Sequence, residues 1–136
     1  MAELAAVRSG LQVRLATISG LRAYTVWPDQ VNTPAALVRP VSDPYQLTLT
    51  NVQTWTFEVV LVAFPAQDGI ARGQDALDPY LAFAGTQSIR AALVGDKTLG
   101  GIVSTLSVDG WRSYGVIDIG IGIEYIGATV DVQVWQ

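Results

Sequence analysis

Apolar side chains at the start of the chain recur with a helical period. Leu4, Val7, Leu11, Leu15 and Ile18 fall at steps of three and four, so they line one stripe of a helix over about residues 2–18, while Arg8, Gln12 and Arg14 lie off it. Ser19-Gly20 ends the helix, with glycine free to take the left-handed cap conformation. The pattern then changes to short extended runs. Residues 21–27 predict a strand closed by Pro28-Asp29, and Pro34 introduces a second strand over 35–39 that Pro40 is expected to stop, because proline has no N–H for a ladder. Residues 41–53 are polar and Thr-rich, and the alternation of Leu47 and Leu49 makes them either a long loop or an extended arm.

The strongest strand signal covers 54–64. Trp55, Phe57, Val59 and Leu61 share one face, and Thr54, Thr56 and Glu58 share the other. Farther along, Val60, Val62 and Phe64 make the second face apolar as well, which predicts cover on both sides of that half. Asp68 is placed to cap a helix running to about Phe83, with Ile70, Leu77, Tyr80 and Leu81 as its inner side and a kink or early break expected at Pro79. Thr86 or Ser88 starts a shorter helix to about Leu93. Alternation over 102–109 predicts a half-buried strand, and a final pair or one bent strand covers 114–119 and 123–134, punctuated by Gly115, Gly120, Gly122 and Gly127. The order helix, strands, helices, strands predicts an α+β fold. Its small mixed or antiparallel sheet packs against an N-terminal helix and a central helical pair, all in one domain of residues 1–136.

Composition sharpens this picture. Half of the 136 residues are apolar and 15% are charged, which favours a packed core and is a low charge content for a free monomer's surface. There is no cysteine, as expected for a reducing compartment or for an assembly that supplies its own stability. Residues 1–10 carry Glu3 and Arg8 and lack the apolar core of a signal peptide, and no run approaches the length of a membrane span. The net charge is −4 and Lys97 is the lone lysine, so a basic face for nucleic acid is not expected.

Candidate chemistry is sparse. Without histidine or cysteine, the commonest proton shuttle and the sulfur nucleophile are missing, and no cofactor is expected. Lys97 sits in the polar turn Gly95-Asp96-Lys97-Thr98, where a solvated lysine is the simpler reading. Asp75 and Asp78 share a helical face, but Arg72, three residues before Asp75, can partner it as ordinary surface charge. Gly120-Ile121-Gly122 lacks the further glycine of a phosphate loop, since Tyr125 stands there. These features point away from an enzyme and towards contacts between proteins. The candidate interface residues are Tyr45, Leu47 and Leu49 in the arm, Arg72 and Asp75 on the helix, and Trp111 and Trp135 beside a turn and the chain end.

Several runs are similar to a known family. Gly20-Leu21-Arg22-Ala23-Tyr24 and Trp27-Pro28-Asp29-Gln30-Val31-Asn32-Thr33-Pro34-Ala35-Ala36-Leu37-Val38-Arg39-Pro40 resemble the opening of tail terminator proteins from long, flexible-tailed (siphovirus-type) phages of actinobacteria. The resemblance continues through Thr56-Phe57-Glu58-Val59, Arg72-Gly73-Gln74-Asp75-Ala76-Leu77-Asp78, Ser88-Ile89-Arg90-Ala91-Ala92-Leu93 and Tyr125-Ile126-Gly127-Ala128. It implies a small sheet packed with helices and a self-associating ring, usually a hexamer. Such a ring caps the tail tube, stops its polymerisation and joins it to the head-side connector. The implied partners are other copies, the major tail tube protein and the head-closure protein. DNA would pass through the lumen without specific binding, no membrane would be involved, and assembly would occur in the host cytoplasm before residence in the virion neck. A neighbouring connector, head-closure or tail-tube component is the alternative. Leu81-Ala82-Phe83-Ala84 departs from those relatives in its apolar character, which predicts a helix end covered by a neighbour.

Overall fold

A computed structural model of the chain describes residues 4–26, 31–42, 54–120 and 122–135. Helix α1 (Leu4–Leu15) is followed by strands β1 (Arg22–Tyr24), β2 (Ala35–Ser42) and β3 (Thr54–Pro65). A 3₁₀ turn at Ala66–Asp68 leads into α2 (Ile70–Leu81) and α3 (Ile89–Val94), and β4 (Thr105–Asp118) and β5 (Glu124–Trp135) complete the fold. The strands form one sheet in the order β1-β2-β3-β5-β4. The β1–β2 pair is parallel and the others are antiparallel, so the mixed sheet with its N-terminal helix and central helical pair is an α+β fold.

The helices cover one face of the sheet. Val7, Leu11 and Leu15 from α1, Leu77 and Tyr80 from α2, and Ile89 and Leu93 from α3 pack onto Phe57, Val59 and Leu61 of β3 and the even-numbered residues 126–134 of β5. Phe57 and Leu61 are wholly buried, and removing each from water stabilises the fold by about 1.5–3 kcal/mol. Helix α2 lies unusually close to β5: a Cβ on Gly73 would stand 2.6 Å from Ile126 Cγ1. Glycine is what permits that approach. The second face has its own small apolar cluster, in which Val60 and Val62 join Ala35, Leu37, Ile119 and Tyr125. The double cover expected for the far half of β3 is therefore real, but strand and loop residues provide part of it.

Several boundaries differ from those read in the sequence. Strand β2 runs through Pro40 to Ser42. Among the described residues β1 pairs only as far as Leu37, so at Pro40 strand β2 has a described neighbour on one side, and a residue without an N–H is tolerated at such an edge. Asp68 does not cap α2; it belongs to the 3₁₀ turn, and Gly69 is the N-cap without a side-chain bond. Pro79 falls in the last turn of α2, which stops at Leu81 rather than Phe83. Ser88 caps α3, its hydroxyl accepting from the Ala91 N–H at 3.1 Å. The stretches 102–109 and 114–119 are not two strands: residues 105–118 make the single strand β4. The arm residues Tyr45, Leu47 and Leu49 lie outside the described residues, as does Trp27.

Candidate functional site

Among the described residues, strand β4 is the longest strand and forms one border of the sheet, bonded to β5 on its inner side. Its register slips twice against β5, between Val108 and Gly110 and between Arg112 and Gly115. Gly110 and Gly115 have φ near 146–147° at those slips, and Ser113 is held at φ 59°. These bulges bend β4 and re-aim its side chains, which keeps a strand of this length from lying flat.

Between β4 and the helical pair lies an open groove of about 390 Å³. Trp111, paired with Val130 across the ladder, forms one wall, and Phe83 from the α2–α3 connection forms another. Buried Ile89 and Val130 form its floor, with Val108 and Tyr80 alongside. Both walls are exposed, Phe83 by 73% and Trp111 by 53%. Exposed aromatic rings are ordinarily mobile, yet each of these is braced. The Arg90 guanidinium stacks 3.6 Å over the Phe83 ring and donates from Nη1 to the Phe83 carbonyl at 3.2 Å. The Ser88 hydroxyl donates to the Ala82 carbonyl at 2.5 Å, which ties the connection to the start of α3. On the other wall, Trp111 leans on Tyr114 with ring centres 5.8 Å apart, and the Tyr114 phenol donates to Asp78 Oδ1 at 2.6 Å. That bond to a carboxylate pushes the Tyr114 pKa up to about 12 and links β4 to α2.

A second hollow continues the stripe farther along β4, where exposed Ile70, Val116 and Ile123 meet. Phe83, Trp111, Val116, Ile70 and Ile123 thus flank the outer strand on its helix side. Apolar groups are thus gathered beside a strand edge that no described residue pairs.

The opposite flank of β4 is polar. Arg39 Nη2 lies 2.8 Å from Glu58 Oε2, Arg112 Nη2 lies 3.1 Å from Glu58 Oε1, and Arg112 Nε lies 3.0 Å from Asp131 Oδ2. This ladder crosses β2, β3, β5 and β4. Glu58 is only 8% exposed, and both of its carboxylate oxygens are taken by the two arginines. Two positive and two negative groups leave the cluster neutral.

The residues singled out in the sequence do not converge on one site. Trp111 lies in the groove. Arg72 and Asp75 are exposed on α2, where no ion pair joins them among the described residues, so the expected partnership is corrected. Asp75 borders a different hollow with Thr33, Pro34 and Gln87. Trp135 is half-buried at the end of β5, on the side opposite to Val134 and level with Thr54 and Thr105. Missed in the sequence were the braces Arg90 and Tyr114–Asp78 and the ion ladder. The apolar run 81–84 was a usable signal for Phe83, although within this chain the run is exposed beyond Leu81.

Compared with protein-family models and with curated proteins, the chain matches none of them. Among the described residues, no helix is long and apolar enough to cross a membrane.

Proposed function

We propose that this chain is a structural subunit that assembles with copies of itself into a closed ring, and that the ring is a phage tail terminator. The observation that carries the first part is the braced, exposed Phe83–Trp111 groove beside an edge of β4 that no described residue pairs. A surface so apolar and so fixed loses little conformational entropy when a partner covers it. Among the described residues the sheet's two border strands differ, β1 being three residues long and β4 fourteen. Unlike borders favour a head-to-tail contact, which closes into a ring when the rotation permits. The second part rests on the resemblance of residues 20–24, 27–40, 56–59, 72–78, 88–93 and 125–128 to that family. In this reading one face of the ring seats on the tail tube and ends its growth, the other receives the head-side connector, and the protein resides in the virion neck. DNA crosses the lumen without specific contacts.

Native mass spectrometry of the purified chain, with imaging of the same sample, tests the ring. A single closed species, a hexamer by the resemblance, is expected. A monomer at every concentration, or an open ladder of sizes, would contradict it.

A further inference from the structure

We infer that the hollow between α2 and the start of β2 is a socket for an arginine side chain, and that Arg22 of a neighbouring copy fills it. Resting on the ring reading, this assignment names a pair of residues that would join one subunit to the next.

The hollow has a volume of about 490 Å³, and the described residues that line it include one negative group and no positive one. That group is Asp75, which is exposed and joined by no ion pair among the described residues. Pro34, Pro79 and Phe64 make apolar walls. Tyr80 borders the hollow too, four residues from Ala76 and on the same side of α2. It is only 6% exposed, yet its hydroxyl is bonded to no described residue. Burial alone raises its pKa, as expected of a phenol without a partner. An enclosed hydroxyl left unbonded is costly, and a donor entering the hollow would satisfy it.

A carboxylate, apolar walls and an unbonded phenol together suit a cation carried on an apolar stem. Guanidinium answers this better than ammonium. Its planar fork can donate to Asp75 and to the Tyr80 oxygen together, its face can lie on an aromatic ring, and its methylene stem can pack on proline. A second copy can supply it, because the chain has seven arginines and one lysine. Four of the seven, Arg14, Arg39, Arg90 and Arg112, are engaged within the chain, and the Arg8 Nε is buried. Arg22 and Arg72 remain, both exposed and bonded to no described residue. Arg72 shares α2 with Asp75, so a contact between them across copies would be reciprocal about a two-fold axis, whereas a head-to-tail ring joins unlike surfaces. Arg22 meets that condition: its ladder partner Ala35 belongs to the apolar cluster on the sheet face away from the helices. The hollow, with α2 and Ala63, lies on the helix side, so Arg22 is turned from the socket of its own chain.

Charge exchange between copies tests the pair. Asp75→Arg and Arg22→Asp each put like charges at the junction, and both positions are exposed, so their melting curves should match that of the unaltered chain. Sedimentation should show self-association weakened at least about tenfold in each variant alone. An equimolar mixture of the two should recover it, because each variant supplies the charge that the other lacks. Tyr80→Phe, which removes only the hydroxyl, should weaken association several-fold without lowering the melt. Rings that form equally well in both charge variants, a mixture that fails to recover, or unaltered association in Tyr80→Phe would overturn the socket and leave the ring standing. Recovery of Asp75→Arg by Arg72→Asp instead would overturn the assignment to Arg22. An unaltered chain that stays monomeric at every concentration would overturn both the socket and the ring.

Discussion

Trp111 and Phe57 are aromatic residues with opposite predicted consequences. Phe57 is wholly enclosed, and Phe57→Ala should cost about 3–5 kcal/mol of folding stability, measured by urea denaturation. Trp111 is half-exposed, so Trp111→Ala should change the melt little. It should instead weaken self-association by about 2 kcal/mol or more, roughly thirty-fold, measured by sedimentation as a function of concentration. Equal losses in both assays would make Trp111 a core residue. Glu58 belongs to a third case: Glu58→Gln leaves Arg39 and Arg112 facing each other without their shared carboxylate, and a loss of about 1–2 kcal/mol is expected in urea. At this scale the exposure of Trp111 was legible, but the turn expected beside it is a bulge at Gly110 inside the continuous strand β4. The ladder was not legible. Arg39, Glu58, Arg112 and Asp131 are up to 92 positions apart, and only strand order brings them together.

Elements were legible where one period ran unbroken. The helical stripe 4–18 and the alternation of 54–64 correspond to α1 with its following turns and to β3. Reading failed where backbone geometry interrupts the period. Two bulges shift the parity of β4, so its continuous strand reads as separate pieces around Gly110 and Gly115. Pro40 looked like a stop because the shortness of β1, which frees that edge, cannot be seen from β2 itself. The junction between α2 and β4 has a pH signature. Tyr114 is raised to about 12 against an unfolded value of about 10, so the folded state holds its proton more tightly. Its contribution is fully present below about pH 10 and is lost as the pH rises towards 12. Burial raises Tyr80 in the same direction. Urea denaturation between pH 9 and 12 should thus show falling stability, with a shallower fall in Tyr114→Phe. An unchanged slope in that variant would mean that the Tyr114–Asp78 bond does not persist in solution.

Among the described residues, the long outer border of β4 has no strand beside it and is flanked by braced apolar groups, the features on which the proposed assembly rests. Four of the seven arginines are engaged within the chain: Arg14 and Arg90 donate to the Ala92 and Phe83 carbonyls, and Arg39 and Arg112 are held in the ion ladder. In the proposed ring, arginines engaged in this way leave fewer free cations to touch passing DNA, where each contact with phosphate would add salt-sensitive drag. Replacing residues 43–51 by a tight turn should leave the melting curve nearly unchanged and abolish assembly; equal loss of both would assign those residues to the core. The central claim concerns termination. A tube built by stacking exposes the same end after every layer, and a ring that matches this end on one face but differs on the other turns an open stack into a closed one. Electron microscopy of particles produced without this protein tests that claim most directly. Filled heads and separate tails of irregular, often excessive, length are predicted; tails of normal length joined normally to heads would contradict it.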